Sequence, residues 1–571
     1  MNLENLYKEW LEKATLDDDL IKELKSIEGK DDEILDRFYR KLEFGTAGLR
    51  GVIGAGTNRM NIYTVGTATQ GLADFLNSKY ENPSVAIAYD SRIKSDTFAV
   101  EAARILAANN VKVYLFKELV PTPVLSFAIR HFGTSSGIII TASHNPSKYN
   151  GFKCYNPNGF QMTDDEANAT YECISKLDYF NDIKRADFDE SVKSGIIEYI
   201  GDETLDAFLN EVKKQQVNPG VCDKADLHVI YTPLNGTGNK PVRKILSQIG
   251  IKNVSVVKEQ ELPDGNFPTC PFPNPEIKQA FECALEMAKE NPADLLLATD
   301  PDCDRVGIAV PKGDGSYQLM TGNEVGVMLM NYILSCKSAN STLHENPIAV
   351  KTIVTTELTR KVTEKYSCEL KDLLTGFKYI GELITNLEKN GEENRYVLGF
   401  EESYGYLAGS HARDKDAVVA SMLICEMAAY YKLQNKTLID VMNDIYSEFG
   451  MCLNNVESFT FEGASGMEKM AQIMETLRTN PPKQIAGLDV LSVADYEKSE
   501  TKDCVTGKIE KIDLPKSNVI SFKMKDGNGA IVRPSGTEPK IKLYMTAMAP
   551  EKEQAEEIIK EILADMKKFM A

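Results

Sequence analysis

The chain has 571 residues, 43% hydrophobic and 26% charged, which is more than one growing core accommodates and has the balance of a soluble globular protein. A formal charge of −19 argues against nucleic acid or an anionic membrane as a bulk partner, and leaves room only for a small anion gathered by local Lys and Arg. No apolar stretch nears the ~18 residues of a membrane span, the start lacks a signal peptide's apolar core, and eleven scattered cysteines without C-x-x-C read as reduced thiols, so a cytoplasmic protein is expected.

Residues 4–42 have helical periodicity and dense charge, predicting a helical lead-in, and "FGTAGLRG" (44–51) follows as a glycine-punctuated loop. An alternation then begins: strand 84–89, helix 96–109, strand 111–116, helix 122–132 and strand 135–141. The pattern restarts with strand 225–231, helix 238–250, strand 254–257, helix 276–290 and strand 293–299. It runs a third time through helix 322–335, strand 347–354 and strand 395–400. Such alternation predicts three similar α/β units with mixed or largely parallel sheets. From about 452 the texture changes to strands within 519–536 and 539–549 and a terminal helix over 551–570, predicting a smaller α+β domain. The expected domains are 1–204, 205–318, 319–450 and 451–571.

Each α/β unit ends a strand on a polar cluster, where ligands bind in open α/β sheets. "TASHNP" (141–146) sets Ser143 beside His144. Neighbours on an extended chain face opposite ways, so this is not expected to be a Ser/His dyad, and a hydroxyl that caps the next segment is the plainer reading. "DPDCDR" (300–305) spaces Asp300, Asp302 and Asp304 by two, letting three carboxylates converge on a hard cation, against the alternative of a solvated acidic turn. Three protein ligands would leave Mg²⁺ an open position for a phosphate oxygen. The EF-hand pattern is absent, and five dispersed histidines suggest no His-rich site.

"GFEESYG" (399–405) places Glu401 and Ser403 two apart, suited to vicinal hydroxyls or to a helix start. "RPSGTEPK" (533–540) offers Arg533, Ser535, Gly536 and Thr537 as a phosphate nest or as a plain hairpin turn. Arg50, Arg92 and Lys153 add cations to an acidic chain, each also readable as a surface charge. "TPLNGTGNK" (232–240) reads as a turn entering a helix. A serine beside a triple-carboxylate metal site has a route to chemistry without a base. It can carry a phosphoryl group whose charge the metal neutralises during transfer.

"TASHNPSKYNGFK", "DPDCDR", "GFEESYG" and "RPSGTEPK", in this order, resemble the phosphoserine, metal, sugar and phosphate loops of the α-D-phosphohexomutase family. The resemblance spans essentially the whole chain, and "GTAGLRG" and "GFEESYGY" are most similar to its phosphoglucomutase/phosphopentomutase-like branch. It implies three α/β domains and a smaller fourth around a central cleft. Ser143 would be the phosphorylated residue and, with Asp300, Asp302 and Asp304, would bind one Mg²⁺. Lys153 would do acid/base work with Arg50 and His144 beside it. Glu401, Ser403 and Lys378 would meet the sugar, and Arg533, Ser535, Gly536 and Thr537 the non-reacting phosphate, with Arg92 and Arg305 in support. Phe400 departs from the broader pattern before the Glu pair. The implied reaction converts a hexose 1-phosphate to the 6-phosphate through a 1,6-bisphosphate, glucose 1,6-bisphosphate for a glucose substrate, on a monomer or weak homodimer. A mannose or pentose phosphate, or bisphosphate synthesis, is the alternative within the family.

Overall fold

The computed structural model describes residues 3–45, 48–461, 466–535 and 540–570. The chain divides into two compact units. One is Met1–Thr321 with Ile380–Leu398 and Ser403–Thr437, and the other is Gly322–Tyr379 with Gly399–Glu402 and Leu438–Ala571.

In the first unit the charged lead-in folds as three helices, Leu3–Lys13, Asp18–Ser26 and Asp31–Phe38. Their apolar faces close on Trp10, which is fully buried and meets Phe38, Tyr63, Tyr179 and Phe180 edge-on at 5.4–5.8 Å. The stretch 44–51, expected as a loop, instead contributes the strand Gly48–Val52, antiparallel to Tyr149–Tyr155 with Gly48 opposite Lys153. The glycines that suggested a loop are what permit the pairing: a Cβ on Gly48 would stand 2.1 Å from the Phe152 carbonyl oxygen.

Strands Ser84–Tyr89, Lys112–Phe116, Ser136–Ile140 and Ile197–Ile200 run parallel in the first sheet. Its edge is closed by the antiparallel Tyr149–Tyr155 and Gly48–Val52, giving six strands. Covered by helices such as Ile62–Lys79, Ser95–Ala108 and Thr122–Phe132, the central strands are buried on both faces, hence the unbroken apolar run Ile138–Ile140. The second sheet repeats the plan. His228–Thr232, Asn253–Val256 and Leu295–Thr299 are parallel, and Leu295–Thr299 then turns back antiparallel into Val306–Pro311 and on to Tyr317–Met320.

The "TASHNP" and "DPDCDR" clusters therefore occupy the same topological place. Each is the turn by which a parallel strand reverses into the antiparallel strand beside it.

In the second unit, strands Ile348–Thr352 and Glu369–Leu373 pair in parallel, and helix Gly322–Ala339 accompanies them. The C-terminal part is an antiparallel sheet running from Met451–Thr460 through Lys540–Ala549, Gly529–Pro534, Ile520–Met524 and Leu488–Asp495 to two short outer strands. Helices Gly466–Thr479 and Lys552–Met570 supply Met470, Met474, Leu477, Ile562 and Met566 to its core. This is the α+β texture expected from the sequence. Among the described residues no helix is long and apolar enough to cross a membrane, and all eleven cysteines are free thiols.

Candidate active site

Ser143 sits at the end of a buried strand with φ of +53°, in the left-handed region that a non-glycine residue adopts only under constraint. This backbone turn overturns the expectation for the neighbouring histidine. Because the chain is not extended at residue 143, the two side chains meet, with Ser143 Oγ 3.1 Å from His144 Nδ1. Ser143 Oγ also donates to Asp300 Oδ2 at 3.0 Å, so the serine turn and the aspartate turn touch.

Arg92, which the sequence left readable as a surface charge, is buried. Its Nη1 donates to the carbonyls of Pro146 and Tyr149 at 3.1 Å, and its Nη2 to those of Asn145 at 2.5 Å and Ser143. Nε lies 3.3 Å from Asp90 Oδ2, and the guanidinium lies over the ring of Phe267. Arg50 is exposed on its strand opposite Gly151, with Nη1 3.5 Å from Asn145 Oδ1. His144 packs edge-on against Phe272. Burial first, then the positive charges of Arg305, Arg50 and Arg92, hold its pKa well below the usual histidine range, so the imidazole is neutral at pH 7.

Asp300, Asp302 and Asp304 are buried, and one oxygen of each lies within 4.8 Å of the others. Asp300 Oδ1 accepts the backbone N–H of Asp304 and Arg305, closing the turn. Asp302 Oδ2 accepts from Thr122 Oγ1 at 3.0 Å and Lys153 Nζ at 3.1 Å. Asp302 Oδ1 and Asp304 Oδ1 are buried with no hydrogen-bond partner, a costly arrangement for carboxylate oxygens unless a cation takes them up. Oxygen-only donors in such a cluster fit a hard divalent cation. Electrostatics agree. Burial, then the charges of its two neighbours, raises the Asp300 pKa well above the carboxylate range. Asp304 is raised likewise. At Asp302, burial is outweighed by Lys153, and the pKa is lowered. Arg305 turns outward to Glu276, 2.6 Å away. The segment 232–240 does enter a helix, as expected, and its Thr237 N–H also holds the Pro301 carbonyl at 2.8 Å.

Lys153 lies on the return strand opposite Ile139, which is how it reaches Asp302. A second lysine was missed by sequence reasoning. Lys415 Nζ lies 3.0 Å from Asp304 Oδ2 and 3.1 Å from Asp414 Oδ1, and Tyr155 Oη donates to Asp414 Oδ2 at 2.6 Å. Burial disfavours the Asp414 charge, but Lys415 and the Tyr155 hydroxyl outweigh it. The signal was present in "HARDKDA" (411–417), a polar run between two apolar stretches, all of it buried. The loop carrying Phe267, Phe272 and Glu276 was also missed, though its prolines and aromatics marked it as ordered.

In the second unit, Glu401 is buried and its Oε1 accepts the Gly376 N–H at 2.9 Å. Phe400, the departure noted in the sequence, turns into the protein interior. Its ring is fully buried where a Cβ on Gly326 would come within 2.1 Å. Gly326→Ala should therefore displace the ring and lower stability by about 1–3 kcal/mol in urea unfolding, whereas an unchanged midpoint would mean the ring yields freely. Lys378 is half-buried near the start of helix Phe377–Lys389, with Nζ 5.1 Å from the Tyr379 ring centroid. Arg533 is half-buried on Gly529–Pro534, and its charge lies near Tyr544, whose hydroxyl pKa burial pushes up to about 12. Ser535 N–H donates to the Lys540 carbonyl at 2.7 Å, closing the hairpin. Gly536 and Thr537 lie outside the described residues. Ser403, assigned to the first unit, is half-buried.

Four family profiles match the chain in order. Alpha/beta/alpha domains I, II and III of the phosphoglucomutase/phosphomannomutase family match residues 41–180, 206–313 and 321–449, and the family's C-terminal domain matches 474–564. A phosphoglucomutase of Staphylococcus saprophyticus is 37% identical over 537 residues, 94% of this chain and 95% of that protein. One of Staphylococcus aureus is 37% identical over 543 residues, 95% of each. Among solved structures, the open form of pp63/parafusin, a phosphoglucomutase from Paramecium, superposes with a TM-score of 0.67 at 20% identity, covering 93% of this chain and 96% of that one. A phosphoglucomutase/phosphomannomutase family protein from Burkholderia thailandensis gives 0.66 at 17%, covering 92% and 97%. At these identities the structural likeness is one of fold.

Proposed function

Since the chain belongs to the phosphoglucomutase/phosphomannomutase family, we propose that it is a phosphoglucomutase, interconverting α-D-glucose 1-phosphate and glucose 6-phosphate through phospho-Ser143. The observation that carries this reading is the hydrogen bond from Ser143 Oγ to Asp300 Oδ2, which sets a phosphoryl-carrying oxygen against a buried acidic cluster with two unsatisfied carboxylate oxygens.

On this reading the domains are 1–204, 205–318, 319–450 and 451–571. Mg²⁺ held by Asp300, Asp302 and Asp304 would supply charge neutralisation at the phosphoryl oxygens as the group moves. Phospho-Ser143 gives its phosphoryl group to the 6-hydroxyl of glucose 1-phosphate, whose proton Lys153 takes. The 1,6-bisphosphate turns over, its 1-phosphoryl group returns to Ser143, and Lys153 returns a proton to O1 as glucose 6-phosphate leaves. Lys153 is suited to this shuttle because Asp302 fixes the position of its Nζ, and neutral His144 orients Ser143 Oγ. Arg50 adds positive charge on the solvent side, and Arg92 and Arg305 support the two turns. Glu401, with Oε2 available beside the committed Oε1, selects sugar hydroxyls together with Ser403 and Lys378. Arg533 and Ser535, with Gly536 and Thr537, take the non-reacting phosphate. A cytoplasmic location, glucose 1,6-bisphosphate as activator, and a monomer or weak homodimer belong to the same reading.

The test is turnover on glucose 1-phosphate, mannose 1-phosphate and ribose 1-phosphate, with and without glucose 1,6-bisphosphate, while following free phosphate. The expected result is highest kcat/KM on glucose 1-phosphate, stimulation by the bisphosphate and negligible phosphate release. Preference for mannose or ribose, or net bisphosphate accumulation, would replace the proposal with another member activity.

A further inference from the structure

The left-handed backbone at Ser143 is gripped on both sides, and only one grip is explained by Arg92, which takes the Ser143 carbonyl. On the other side, the Ser143 N–H donates to Thr141 Oγ1 at 2.8 Å, and Thr141 Oγ1 donates in turn to Asp90 Oδ2 at 2.6 Å. Asp90 Oδ1 accepts the Arg92 N–H at 3.0 Å and the Ser95 hydroxyl at 2.8 Å, and its N–H returns to the Ile140 carbonyl. Thr141, Asp90 and Ser95 are essentially inaccessible to solvent. The Thr141 carbonyl lies 2.4 Å from where a Cβ on Gly151 would be, so the return strand closes against the turn with no slack. A hydroxyl accepts from the Ser143 N–H and donates to a carboxylate through one and the same atom.

Resting on Ser143 as the phosphoryl carrier, we infer that Thr141 and Asp90 are positioning residues. Through a relay of two hydrogen bonds they hold the backbone of Ser143 in the conformation that aims Oγ at the aspartate cluster. A backbone held outside its preferred region persists only where its surroundings over-determine it, and such strain at a reacting atom is a form of preorganisation. The relay touches neither sugar nor distal phosphate, so its loss acts on the chemical step and spares substrate binding.

The experiment compares Thr141→Val, Thr141→Ser and Asp90→Asn in the full-length protein, with Ser143→Ala as reference. Each is assayed for kcat and KM on glucose 1-phosphate and for its unfolding midpoint. Thr141→Val, which keeps the side chain's shape, is expected to lower kcat ten-fold or more with KM within two-fold. Thr141→Ser, which keeps the hydroxyl, should return kcat to within two-fold of the parent, and Asp90→Asn should fall between them. A purely packing role predicts the opposite split: Thr141→Val with parental kcat and unfolding midpoint, and Thr141→Ser, which loses the methyl, the worse of the two. That result, with Ser143→Ala inactive, overturns the relay alone. Ser143→Ala retaining turnover overturns the underlying assignment as well.

Discussion

Ser143→Ala is expected to lower turnover on glucose 1-phosphate by at least about 10⁴-fold, roughly 5 kcal/mol or more of lost transition-state stabilisation. The whole reaction is routed through one oxygen atom, whose two neighbours are a neutral imidazole and an Asp300 carboxylate committed to the acidic cluster. The fold should survive. Alanine at a φ of +53° costs no more than serine there, and the turn's backbone bonds to Arg92 and Thr141 do not involve Oγ. The measurement pairs steady-state turnover with intact mass. The parent should show a species heavier by one phosphate that disappears on treatment with unphosphorylated sugar, and the variant should show none. Parental turnover in the variant would remove the serine from the mechanism. An unfolding midpoint more than a few degrees lower would show that Oγ holds the two turns together. Losing Arg533 should produce the contrasting pattern, a raised KM with kcat largely kept.

The units and the polar turns were legible in the sequence for a physical reason. Parallel strands covered on both faces must be apolar throughout, so "SVAIAY", "GIIIT" and "LLLAT" stand out, and the polar cluster after each marks the strand's carboxyl end. Their antiparallel partners were harder to see. "YNGFKCY" carries a lysine and a glycine because one edge faces the site, and "GLRGV" reads as a loop because its glycines are there for close approach to Phe152.

Contacts to backbone carbonyls leave no pattern of residue types behind them. Arg92 could thus be read as a surface charge although four carbonyls hold it in the interior. Adjacency misled at Ser143 and His144 for the reason that a single left-handed residue reverses the facing rule. Lys415 reaches Asp304 across a sequence separation of 111, which no local window spans. What exposed the chemistry was the coincidence of four sparse clusters in order. Three of them, taken singly, read no better than as turns or caps.

The second large effect concerns the cation. Exhaustive chelation should abolish turnover, Mg²⁺ should restore it, and Asp302→Asn should cost at least about a thousand-fold, roughly 4 kcal/mol, at saturating Mg²⁺. Three carboxylates within 4.8 Å of one another, all inaccessible to water, repel unless their charge is met. Lys153 and Lys415 each meet one of them, and two oxygens are still left without a hydrogen-bond partner. Stripped of a cation, the cluster relieves itself by protonation, as the raised pKa values of Asp300 and Asp304 indicate, so binding must expel protons. The sign follows directly. Protons and the cation compete for the same oxygens, so the Mg²⁺ concentration needed for half-maximal activity should rise as pH is lowered from 8 to 6. Titrating Mg²⁺ against turnover at several pH values in weakly coordinating buffer measures this. A half-maximal concentration independent of pH would mean that the carboxylates are ionised before the cation arrives, and a chelated protein with full activity would mean that phosphoryl transfer here proceeds on protein charges alone.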